Sequence, residues 1–84
     1  VDAAMTLEDG IVTAVLNGSG KHELELRLFN ASSDFSVQEV NLSSGQPVSI
    51  SFDLAVEDDT MPFVAALIID GDTENAVMLT GASL

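Results

Sequence analysis

His22-Glu23-Leu24-Glu25-Leu26-Arg27-Leu28-Phe29-Asn30 is the most strictly alternating stretch of the chain. Leu24, Leu26 and Leu28 share one face, with Glu23, Glu25 and Arg27 on the other. Successive side chains of a strand point to opposite faces. One dry face and one wet face is the pattern of an antiparallel sheet with a single solvated side. Phe29 falls on the polar face.

Upstream, Asn17-Gly18-Ser19-Gly20 forces a turn. Before it, Ile11–Leu16 is an apolar run broken only by Thr13. Asp9-Gly10 is a dipeptide suited to a tight hairpin, and Ala3, Met5 and Leu7 alternate with Ala4, Thr6 and Glu8 ahead of it. Downstream, Asn30–Asp34 reads as a polar loop. Phe35 and Val37 read as inward, followed by Val40 and Leu42. That shift from odd to even phase predicts a β-bulge or bend near Gln38-Glu39, because alternation in a strand is strict. Ser43-Ser44-Gly45-Gln46-Pro47 is a turn. Val48, Ile50, Phe52 and Leu54 then alternate with Ser49, Ser51 and Asp53. Glu57–Pro62 reads as an acidic loop. Phe63–Ile69 is apolar at every position, as in a strand that is central or covered on both faces. Asp70–Asn75 reads as a second acidic loop, and Ala76–Leu79 as the last strand before a tail of small residues.

No stretch sustains helical spacing free of Gly, Ser or Asn. Strand signals recur roughly every 8–12 residues, the spacing of an all-β sandwich or barrel. About seven antiparallel strands in a single domain over residues 1–84 is the resulting expectation.

From Leu24 to Leu54 the chain runs through an alternating strand, Leu28-Phe29-Asn30-Ala31-Ser32-Ser33-Asp34, a second strand, Leu42-Ser43-Ser44-Gly45-Gln46-Pro47-Val48, and Ser49-Ile50-Ser51-Phe52-Asp53-Leu54. This order resembles immunoglobulin-like and fibronectin-III-like extracellular modules. The resemblance implies an antiparallel immunoglobulin-like β-sandwich and implies nothing about a ligand. The Cys pair, core Trp and tyrosine corner of such domains are absent, since the chain has no Cys, Trp or Tyr.

Of the 84 residues, 46% are hydrophobic, and the mean hydropathy is +0.35. A domain this small buries only about 60% of its unfolded surface, so part of the apolar surplus is expected against a neighbour. Fourteen acidic residues face only Lys21 and Arg27, for a net charge of −12. Nucleic-acid affinity requires cations that neutralise phosphates, and an anionic membrane repels such a chain. No apolar run reaches the ~20 residues of a membrane-spanning helix. The acidity suits salty or calcium-rich surroundings, where counterions screen repulsion. Val1 in place of Met fits a mature product after signal cleavage or an excised domain.

Catalysis needs a nucleophile, an acid or base and a pocket. His22, beside a turn, is the only histidine and reads as a solvated strand-end residue, so no enzyme is expected. Calcium takes roughly six to eight oxygen ligands, and two loops offer them. One holds Asp70, Asp72 and Glu74; the other holds Asp58 and Asp59. The first imitates the start of an EF-hand, then fails with Asn75 at its sixth position and Gly81 at its twelfth. The two loops flank Phe63–Ile69 and so belong at opposite ends of the sandwich; solvated acidic loops are the plainer reading. Sugar sites of small sandwiches usually stack on Trp or Tyr. Here Phe29 is the one aromatic expected to be exposed, with Phe35, Phe52 and Phe63 reading inward. Asn17, Asn30 and Asn41 each start an Asn-x-Ser sequon, which marks either glycosylation along an export route or plain turn chemistry.

The expected role is a non-catalytic extracellular or cell-surface structural protein that binds copies of itself. A filament or adhesion subunit or a virion decoration would qualify. Strand exchange with Val1–Glu8 as donor is the expected mode. The alternatives are an accessory ligand-binding module of a larger secreted enzyme or adhesin, and a calcium-stabilised extender domain.

Overall fold

The computed structural model describes residues 1–29, 33–55 and 62–81. They form seven strands: β1 (Asp2–Glu8), β2 (Ile11–Asn17), β3 (Gly20–Phe29), β4 (Ser33–Leu42), β5 (Val48–Ala55), β6 (Phe63–Ile69) and β7 (Asp72–Gly81). One sheet has the order β1-β2-β5, the other β4-β3-β6-β7, and every pairing is antiparallel. The two sheets enclose one core, making an all-β sandwich.

The alternation read in the sequence builds that core. Leu24, Leu26 and Leu28 are buried from β3, Val12, Ala14 and Leu16 from β2, and Phe52 from β5. Phe63, Ala65 and Leu67 of β6 lie beside the β3 leucines on the same sheet and face the residues of β2 and β5 across the core. Ala3, Met5 and Leu7 of β1 close one side. No polar or charged residue is buried among the described residues, so the core carries no desolvated charge. β6 lies between β3 and β7, which explains its continuous apolar run. Its outward Ala66 and Ile68 are also buried, between the neighbouring strands β3 and β7.

Two hairpins close with the same dipeptide. Asp9 and Gly10 sit at φ 51° and 78°, Asp70 and Gly71 at 54° and 74°. Positive φ at both central residues gives the turn whose twist matches paired strands, and Gly adopts it without a Cβ penalty. The expected acidic loop Asp70–Asn75 therefore shrinks to Asp70-Gly71, and Asp72–Asn75 belong to β7. A register shift between Leu67 and Ile69 absorbs the extra residues on β7.

The expected bulge near Gln38-Glu39 does not occur. β3 and β4 pair without interruption from Gly20↔Leu42 to Phe29↔Ser33. β4 keeps a single phase, with Val40 and Leu42 buried and Phe35 and Val37 exposed. The phase change in the sequence is a change of face occupied by apolar residues, not a change in the backbone. Phe35 and Val37 are thus outward, contrary to their reading from the sequence.

Candidate functional site

β3 sits beside both β4 and β6, so its outward residues form the middle of a four-strand surface. Cross-strand register arranges that surface in rows. Phe35, Arg27, Ala66 and Met78 lie in one row. Val37, Glu25 and Ile68 make the next, and Ser33, Phe29, Val64 and Thr80 the one on the other side. Phe35 is 63% exposed, Met78 56%, Val37 49% and Phe29 47%. Six large hydrophobic residues are exposed among the described residues, and these four share one face; the other two are Val1 and Val15. The outer face of the smaller sheet carries one exposed large hydrophobic residue, Val15, beside Thr6, Thr13, Ser49 and Ser51, and the Thr13 and Ser51 hydroxyls meet at 3.1 Å.

Both cations of the chain also lie on this four-strand face. The Arg27 guanidinium Nε donates to Glu25, two residues away on the same strand. Lys21 Nζ reaches the Glu39 carboxylate on β4 at 3.1 Å. Both pairs are solvated, and such pairs contribute at most about 1 kcal/mol each. Their main effect is on local charge. The outward positions of β3 and β4 carry Lys21 and Arg27 against Glu23, Glu25 and Glu39. Asp34 at the rim adds a fourth carboxylate, so the two cations offset half of the carboxylates on β3 and β4. Phe29 and Phe35 border an open depression of about 350 Å³, with Glu25, Arg27 and Asp34 as its polar wall.

A second cluster lies at the end of the sandwich. His22 Nδ1 is 2.6 Å from Asp70 Oδ2, and Nε2 is 2.7 Å from the Ser19 carbonyl oxygen. The other carboxylate oxygen of Asp70 accepts the Glu23 N–H at 2.9 Å, and the Asp70 N–H donates to the Glu23 carbonyl at 2.8 Å. The ring is 18% exposed, not the solvated strand-end ring expected from sequence. The hydrogen bond to Asp70, then that to Ser19, raises the histidine pKa above its ordinary 6.5. The bond from His22, then that from the Glu23 amide, lowers Asp70 below 3.8. Both ring nitrogens face acceptors, so the cationic ring satisfies both bonds. A general base needs a free lone pair aimed at a hydroxyl or water. Here Nε2 points at a carbonyl, which has no proton to give. The arrangement acts as a clasp joining the β2–β3 turn, β3 and the β6–β7 turn.

Asp70, Asp72 and Glu74, the candidate calcium ligands, fall on that hairpin. Asp70 is committed to His22 and Glu23. Asp72 accepts from the Asn75 side-chain amide at 2.8 Å. No group of three or more His, Asp or Glu side chains suited to a metal occurs among the described residues. Asp58 and Asp59 lie outside the described residues, as does the sequon at Asn30. Asn17 and Asn41, the other two sequons, are exposed on β2 and β4. The His22–Asp70 pair spans 48 positions and left no local signal in the sequence. The apolar face did leave one: counting back in even phase from Val40 and Leu42 puts Phe35 and Val37 outward.

Among the described residues no helix is long and apolar enough to cross a membrane. No family model, curated protein or solved structure matches the chain.

Proposed function

We propose that this is a non-catalytic structural protein of the cell surface or extracellular space that works by self-association. One observation carries the reading: Phe29, Phe35, Val37 and Met78 stand exposed together on one sheet face. Exposed large apolar side chains gathered on one face in this way mark interaction sites. The clasped state of His22 and the acidic, cation-poor surface support binding over chemistry. The acidity and the exposed sequons Asn17 and Asn41 support an exported protein. The strand layout supports kinship with immunoglobulin-like and fibronectin-III-like modules. First, second and fifth strands share one sheet and third, sixth and seventh the other, with the fourth strand beside the third.

Strand donation by Val1–Glu8 is the less favoured route to assembly. β1 is fully paired with β2 of its own chain, from Asp2↔Asn17 to Glu8↔Ile11. Donating it would open the Asp9-Gly10 hairpin and uncover Met5 and its core neighbours.

The second reading is a ligand-binding module of a larger secreted protein. It is favoured by the depression where two Phe rings meet Glu25, Arg27 and Asp34, an apolar platform with polar groups at its edge suited to a sugar. Light scattering on the purified chain over a wide concentration range separates the two. Self-association predicts a mass that rises with concentration. A constant monomer mass, with saturable binding of an oligosaccharide in calorimetry, would favour the second reading.

A further inference from the structure

We infer that the outer face of β4-β3-β6-β7 packs against the same face of a second copy, around a two-fold axis. This rests on the self-association reading and names the surface through which it acts. Three observations single out a second copy as the occupant.

The first is charge. Two copies at −12 repel through most orientations. Both cations of the chain lie on this face and offset two of its four carboxylates on β3 and β4, so both signs of charge meet an approaching copy here. A strongly basic partner would meet both of the chain's own cations, Lys21 and Arg27, on this face. The second is self-complementarity. A two-fold interface uses the same patch on both sides. The Glu25–Arg27 and Lys21–Glu39 pairs each offer both signs, so a two-fold arrangement can set a cation of one copy against a carboxylate of the other. The third is area. Four strands spaced about 4.8 Å, over roughly seven residues rising about 3.3 Å each, make a face near 20 by 25 Å. Two such faces bury on the order of 1,000 Å², the threshold for a specific interface. Sheets stack face to face about 10 Å apart with strands within roughly 30° of alignment, which puts Phe35 and Met78 at the two flanks of the contact.

Because apolar burial drives the contact and long-range charge opposes it, added salt should strengthen association. Screening contracts from about 10 Å at 0.1 M to about 3 Å at 1 M. An interface held by ion pairs would weaken instead.

Sedimentation velocity on the full chain tests this, at low and high salt, beside a F35S/M78S double variant and a V15S control on the opposite sheet. All three substituted side chains are exposed, and a circular dichroism melt verifies that each variant is folded. The proposal expects dimers that tighten with salt, a double variant weakened by roughly tenfold or more, and an unaffected V15S. E23Q, which removes one carboxylate from each face, should tighten association at low salt only. Association that persists in F35S/M78S, or is lost in V15S, overturns the assignment of this face and leaves self-association standing. Monomers at every concentration and salt would overturn both.

Discussion

His22 is the residue whose behaviour the structure defines most sharply. Its folded pKa is raised above 6.5, so its contribution to stability is complete below that value and is lost as pH rises through the folded pKa. Asp70 is lowered from 3.8, so its contribution is complete above that value and is lost as pH falls through the folded pKa. The clasp is therefore at full strength between about pH 4 and 6.5. Melting temperature should fall as pH rises above that window; replacing Asp70 with Asn should flatten that fall and lower the His22 titration midpoint read from its ring proton resonances. An unchanged midpoint in D70N would show that the two side chains do not interact in solution. Nothing near His22 in sequence announces this pair. Its partner arrives only when β6 lies beside β3 and the hairpin turn at Asp70 swings over the strand end.

β3 is the element on which the fold turns, and its two faces should respond in opposite ways. Leu26 is fully buried where both sheets meet, and L26A should cost about 2–5 kcal/mol in urea unfolding, the usual loss for a large-to-small change in a closed core. Phe29→Ser, three residues on but facing out, should change stability by no more than about 0.5 kcal/mol. Equal losses at both positions would mean the strand is covered on both sides. The alternation of β3, β5 and β1 was legible because each has one face in the core, so polarity reports direction. β4 was misread for the converse reason. Its outward face holds Phe35 and Val37, so polarity stopped reporting direction there and mimicked a bulge. The Asp70-Gly71 turn was present in the sequence in the same form as Asp9-Gly10. It was obscured by the acidic residues that follow it, which belong to an exposed part of β7.

For the whole molecule, composition foretold a surplus of apolar surface but not its location. The location follows from topology: β3 and β6 become neighbours although 33 residues lie between Phe29 and Phe63, and their outward residues merge with those of β4 and β7 into one surface. A chain at −12 gathers its two cations and four of its exposed hydrophobic side chains on that surface. The most direct test is a dilution series followed by nuclear magnetic resonance at constant salt, reading the Phe29 and Phe35 rings and the methyl groups of Val37, Val64, Ile68 and Met78. The prediction is that these signals shift together with concentration while Val15 and the Thr13 methyl stay fixed. Shifts centred on β1, β2 and β5, or no dependence on concentration, would contradict it.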